Sequence, residues 1–129
     1  MKVKTAFVPE LAISNGTTNV DFYKQAFNAE EFLRVNNDDG SIHVVVFKIE
    51  EAMFALHELT QWSRTILPDA EKGGTVTIGL MVDDVHAVVS RAVAAGAKLI
   101  EPVTDHEYGW RQGSILDPFG HRLQIQKIL

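Results

Sequence analysis

This 129-residue sequence predicts an α+β fold of two tandem βαβββ modules. Two stretches, Asn19 to Glu30 and Asp84 to Lys98, each read as an amphipathic helix. Each is preceded by one β-like run and followed by three. Asn28 and Gly96 stand at the same point in the two copies, where a helix commonly ends on a residue at positive φ.

The first run, Lys4 to Ile13, alternates, with Phe7, Pro9, Leu11 and Ile13 on one side and Ala6, Val8, Glu10 and Ala12 on the other. Pro9 has no N–H for a ladder, so this strand is expected near a sheet edge. Ser14 to Thr18 supplies turn residues and a Thr cap, and Val20, Tyr23, Ala26 and Phe27 then mark one helical face. Glu31 to Val35 is a short strand, followed by the turn Asn36 to Gly40. Ile42 to Ile49 and Ala52 to Leu59 form a hairpin about Glu50-Glu51. That turn lacks the Gly or Asn favoured in two-residue hairpins, which points to a wider loop.

Residues 60–74 break the pattern. As a connection longer than about 12 residues they suit either a lid or a linker, and the linker reading packs Trp62, Ile66 and Leu67 on the surface. Module one thus covers about 3–59 and module two about 75–129, within one domain spanning 1–129. In the second module Val76, Ile78, Leu80 and Val82 face one way and Thr77, Gly79 and Met81 the other. After the second helix come strands Lys98 to Val103 and Arg111 to Leu116, separated by the polar and aromatic segment Thr104 to Trp110. The turn Asp117-Pro118-Phe119-Gly120 leads into the last strand. There Leu123 and Ile125 face the helices, leaving Arg122, Gln124 and Gln126 on the opposite face, toward a cavity.

Composition narrows the function classes. Apolar residues make up 46% of the chain and the net charge is −5 with both signs interspersed, so no basic face is offered to nucleic acid or anionic lipid. The absence of cysteine removes disulfides, thiolate metal sites and cysteine nucleophiles. Met1 to Thr5 has no apolar signal core and no run approaches membrane-spanning length, so a cytoplasmic protein without a membrane partner is expected. No serine sits in a nucleophile elbow, and Gly73-Gly74 is too bare for a phosphate loop.

Asn19-Val20-Asp21-Phe22-Tyr23, Ala94-Ala95-Gly96-Ala97 and Asp117-Pro118-Phe119-Gly120-His121 resemble the vicinal oxygen chelate superfamily. Glyoxalase I, extradiol dioxygenases and the fosfomycin and bleomycin resistance proteins belong to it. The resemblance implies paired modules whose curled sheets form an open mixed-sheet barrel, commonly completed in a homodimer. In metal-using members the first and last strands of each module supply one ligand each. The resemblance places Val8, Glu58, Thr77 and Gln124 at those positions, and of these Glu58 alone is a strong ligand. No cofactor is therefore expected. Should a divalent metal bind, Glu58 and Gln124 are the ligands that persist, and a one-residue register slip would bring in Glu10 or His57.

Pairing about Glu50-Glu51 sets Ile49 against Ala52, Phe47 against Phe54, Val45 against Leu56 and His43 against Glu58, all on one face. His43 and Glu58 then form a candidate acid/base pair inside the cavity, with a structural pairing as the alternative. Phe47, Phe54, Leu56, Thr77 and Met81 are expected to line the cavity. Tyr108 and Trp110 offer stacking surfaces, Arg111 an anion partner, and Arg122, Gln124 and Gln126 further polar contacts. His57 and His86 read as structural or solvent exposed, and His121 as a turn contact. The leading expectation is small-molecule binding of the bleomycin-resistance type without a divalent metal. The alternatives are a glyoxalase-like lyase or isomerase using Glu58 and Gln124, and a metal-free enzyme using His43 and Glu58.

Overall fold

The computed structural model describes residues 1–129. Strand β1 (Glu10–Ile13), helix α1 (Phe22–Phe27) and strands β2 (Glu30–Asn36), β3 (Ile42–Ile49) and β4 (Ala52–Glu58) come first. Strand β5 (Thr77–Met81), helix α2 (Val85–Ala94) and strands β6 (Lys98–Asp105), β7 (Trp110–Leu116) and β8 (Arg122–Ile128) repeat the order. They form two separate four-stranded mixed sheets, β1-β4-β3-β2 and β5-β8-β7-β6, so the paired βαβββ architecture is realised with both sheets open.

Both helices end as the sequence implies. Asn28 adopts φ 55 while its N–H bonds Lys24 O, and Gly96 at φ +119 lets the chain turn so that Ala97 N reaches Ala92 O. At the other end, α2 is capped by Asp84, whose carboxylate accepts from Ala87 N at 3.0 Å. Helix α1 starts differently from the expected Thr cap: Asp21 is its N-cap, with no side-chain cap bond, and Asn19 Oδ1 holds Asp21 N at 2.9 Å.

Tyr23, Ala26 and Phe27 of α1 and Val85, Val89 and Ala92 of α2 join one core with Leu11, Ile13, Phe47, Leu56, Ile115, Leu123 and Ile125. Each such fully buried Leu, Ile or Phe contributes about 1.5–3 kcal/mol. The two helices pack on each other, and both sheets turn their helix-facing sides to this one core. Their other faces therefore look away from it.

Three local expectations are corrected. Strand β1 runs only from Glu10, and residues before it are almost all exposed. In the register Glu10↔Ala55, Phe7 falls opposite Ala52, where β4 begins, so earlier residues have no strand to pair with. The Glu50-Glu51 turn is tight, since Ile49 pairs with Ala52, and it is closed by Glu50 at φ 52 in place of glycine. In the connection, Trp62 and Ile66 remain 81% and 83% exposed instead of packing down, and the half-buried part is Leu67-Pro68, where Pro68 meets Gly74 and Gly120. No helix is long and apolar enough to cross a membrane.

Candidate functional site

The outward face of the second sheet gathers most of the expected ligand contacts. Register rows align Thr77 with Arg122, Gly79 with Gln124 and Ser114, and Met81 with Gln126 and Gln112, while Trp110 lies opposite Ile128. Because alternate residues share a face, all these side chains stand on the side away from the core. Gln126 Oε1 accepts from Gln112 Nε2 at 3.0 Å and Gln124 Nε2 at 2.9 Å. Tyr108 OH donates to Gln112 Oε1 at 2.7 Å, and its ring stacks on His106 at 4.9 Å. Arg122 bonds Ser114 Oγ at 3.3 Å and pairs with Glu101.

Gln112, Ser114 and Gly79 escaped the sequence reading. Alternation from Trp110 leads to Gln112 and Ser114, whereas Arg111 lies on the other face. There it is held by Asp105 through bonds of 2.6 and 3.0 Å, which raise the guanidinium and lower the carboxyl from their ordinary values. Arg111 is therefore not part of this surface. The lone glycine within β5 was the available signal for Gly79. A Cβ there would stand 2.6 Å from Gln126 Nε2, so the missing side chain is what lets that amide lie across β5.

On the first sheet the face assignment is reversed. The hairpin register is the expected one, but Phe47 and Leu56 point to the helices and are fully buried, with the Tyr23 ring 5.6 Å from that of Phe47. They line no open cavity. Both faces of β3 are apolar, Val44 and Val46 on one and Val45 and Phe47 on the other, so alternation alone does not tell which is inside.

Glu58 shares the helix-facing side with Leu56. It is 5% exposed and tied to Asn37 Nδ2 at 2.6 Å, with His43 Nδ1 at 3.4 Å. The expected His43–Glu58 contact exists, but at the buried end of the sheet instead of inside a cavity. His57 joins it: its Nδ1 lies 2.7 Å from Glu58 O, and its ring meets that of His43 edge-on at 4.8 Å. A carbonyl only accepts, so Nδ1 of His57 is the donor in that contact.

Between the two modules runs an apolar groove of about 990 Å³. Segment 3–9, Phe27 and Phe54 wall one side, with Ile78, Gly79 and Leu80 on the other. Of the expected ligand contacts Phe54 lies here. Gly79 borders the groove through its backbone, whereas Gln112, Gln124 and Gln126 stand on the opposite face of the sheet and do not line it.

A family model for the glyoxalase/bleomycin resistance protein/dioxygenase superfamily matches residues 8–125. The chain belongs to that superfamily. An uncharacterized protein of Mycobacterium tuberculosis is 34% identical over 128 residues, covering 97% of this chain and 75% of the relative. Among solved structures, a gene product of Arabidopsis thaliana is 27% identical with a TM-score of 0.72, covering 98% of this chain and all of that one. TioX from Micromonospora sp. ML1 is 21% identical with a TM-score of 0.71, covering 96% of this chain and 100% of TioX, a likeness of fold.

The four residues that the resemblance sets at metal-ligand positions make a poor donor set. Val8 has no donor atom, Glu58 faces the helices with its oxygens engaged by Asn37 and His43, and Thr77 and Gln124 stand on the other sheet. No three His, Asp or Glu side chains gather anywhere in the chain as ligands would.

Proposed function

We propose that this superfamily member binds a small organic molecule in the apolar groove between its modules. The observation that carries the reading is the groove itself, about 990 Å³, walled by Phe27 and Phe54 of the first module and Ile78 and Leu80 of the second. Burial of an apolar body supplies affinity at about 25 cal/mol per Å². No metal enters this reading, because the one strong ligand is committed to structure. A homodimer belongs to it as well: Phe32, Leu33 and Val35 on the first sheet and Val76 and Met81 by the second are exposed apolar residues that a second copy would cover.

The test is a thermal-shift screen of aromatic acids, glutathione conjugates and cationic antibiotics, followed by amide chemical-shift mapping of each hit. Hits are expected to perturb Phe54, Gly79 and Leu80 together. Hits that all map elsewhere, or a screen without hits, reject the reading. Light scattering on the purified protein is expected to give twice the 14.3 kDa chain mass.

A second reading, metal-free acid/base catalysis, is favoured by Glu58 holding two imidazoles, His43 through its carboxylate and His57 through its carbonyl. Such pinning leaves one nitrogen of each ring for proton transfer. If a reaction is found, His43→Ala and His57→Ala each lower kcat by about 10²-fold or more. Unchanged turnover in both variants removes this reading.

A further inference from the structure

We infer that residues 1–8 are exchanged between two copies of this chain, the arm of each pairing along the open edge of β5 in the other, so that the partner's Phe7 walls the groove. This rests on the homodimer proposed above and deepens the groove reading, since the second copy then completes the ligand site. The groove lies between two bare strand edges. β5 is the outer strand of its sheet, and alternate residues of a strand in a ladder bond to each side. Val82 N bonds Gln126 O on the β8 side, so Thr77, Gly79 and Met81 turn their N–H and C=O groups to the open side, where Gly79 borders the groove. Across the groove, Pro9 O bonds Ala55 N on the β4 side, and from Met1 to Val8 no group makes a hydrogen bond. Phe7 is 98% exposed and Val3 83%, although both lie along the groove. An open strand edge is a template for another chain, and exchange of an identical segment is a low-cost route to a dimer.

The chain's own arm does not serve its own β5. It continues β1, which is held by β4 as far as Pro9 and by His121 at Ala12, and the groove of about 990 Å³ stands between it and β5. Paired strands lie about 4.8 Å apart, which leaves no room for such a groove. An arm arriving from a second copy is free of that restraint. Charge favours it, because the arm carries Lys2 and Lys4 and no acid, whereas the whole chain is at −5 and Asp83 and Asp84 follow close behind β5. Val76 and Met81, exposed at the two ends of β5, are covered by the same contact.

The chain has no cysteine, so placed thiols report this contact without background. Thr5→Cys in the arm and Ile78→Cys in β5 are purified separately, mixed, incubated to let subunits exchange, and treated with a short bis-maleimide. A link between positions 5 and 78 in that mixture joins two chains by necessity, and its recovery at twice the 14.3 kDa chain mass is expected. Thermal unfolding of each variant confirms folding. Absence of the link from the mixture, or its formation in the double variant only within one chain, overturns the exchange. Phe7→Ser, at a side chain that touches little of its own chain, is expected to raise the dimer dissociation constant about tenfold or more in sedimentation equilibrium. An unchanged constant overturns the role of Phe7. A wild type that is dimeric but gives no link between positions 5 and 78 overturns the exchange and leaves the homodimer, whereas a monomeric wild type overturns both, and the ligand screen decides the groove separately.

Discussion

The Tyr23 phenol donates a 2.7 Å hydrogen bond to Asp117 Oδ2, joining helix α1 of the first module to the β7–β8 turn of the second across 94 residues. Asp117 Oδ1 meanwhile accepts from the N–H groups of Phe119 and His121, both at 2.9 Å, which shapes the turn. From that turn His121 Nε2 donates to Ala12 O at 2.7 Å, capping the free edge of β1. One turn therefore fastens the second module to both α1 and β1. Tyr23→Phe removes the phenol and leaves a buried carboxylate short of a donor. The variant is expected to lose about 1.5–3 kcal/mol of stability in urea unfolding at neutral pH. A loss below 0.5 kcal/mol, on the order of an ordinary surface change, would show that the link is dispensable.

Asp117 gives this fold a pH signature. Burial raises its carboxyl above 3.8, against the lowering by the Tyr23 hydrogen bond and the nearby His121. The native state thus holds the proton longer than the unfolded chain, so the contribution to stability is full below 3.8 and declines as pH rises through the raised native value. Asp39, Asp69 and Asp105 have lowered carboxyls and act oppositely, stabilising above 3.8 and losing that contribution as pH falls through their native values. A difference measurement isolates Asp117. Relative to wild type, Asp117→Asn is expected to gain stability as pH rises from below 3.8 through the raised native value of the carboxyl, and to level off above it. A difference independent of pH contradicts the assignment.

Tyr23 governs the alkaline side. Its phenol is raised well above 10.0, first by burial and then by the charge of Asp117 and the hydrogen bond to it. Its contribution is fully present below the unfolded value and disappears as pH rises through the native one. Wild-type stability is therefore expected to fall above about pH 10, and Tyr23→Phe to show a shallower fall. Matching alkaline limbs in the two proteins would contradict this.

Glu50 holds a left-handed conformation, φ 52, in a two-residue turn where glycine carries no steric penalty. An L side chain there costs about 1–2 kcal/mol, and glycine gives part of that back through greater unfolded-state entropy. Glu50→Gly is expected to raise stability by about 0.5–1 kcal/mol, seen as a higher urea midpoint at unchanged m-value. A lower midpoint would mean that the Glu50 side chain makes a compensating contact.

These two turns mark the limits of what the sequence discloses. The pairing of Phe47 with Phe54 and Val45 with Leu56 follows from a hairpin centred on Glu50-Glu51, because antiparallel register is a local property. The outward placement of Arg122, Gln124 and Gln126 follows too, since polar residues alternate there with Leu123 and Ile125. Burial of Phe47 and Leu56 does not, because β3 is apolar on both faces and α1 decides which is covered. The β1 overhang and the second imidazole on Glu58 depend on where other strands end and bend, which no local pattern carries. Trp110 and Arg111 are adjacent in sequence but stand on opposite faces of β7, because neighbours on a strand point apart.

Gly113 shows the same dependence on a distant element. It lies on the helix-facing side of β7, next to Ile115, where α2 crosses the sheet. A Cβ at this position would approach Val103 Cγ2 to 3.0 Å and Val89 Cγ2 to 3.3 Å, with the Val103 backbone 3.5 Å away. Both neighbours are β-branched and stiff at χ1, so they have few rotamers by which to withdraw. Absent a glycine, α2 must move off the sheet or β6 must shift outward, and either opens the core around Ile115 and Ala92. Gly113→Ala is accordingly expected to destabilise by about 1–3 kcal/mol through overpacking, despite the lower unfolded-state entropy that alanine alone would confer. Pairing it with Val103→Ala, which removes the nearest methyl, is expected to recover part of the loss relative to the sum of the single changes. Strict additivity in that cycle, or a stabilised Gly113→Ala, would assign the glycine to conformational freedom and not to close packing.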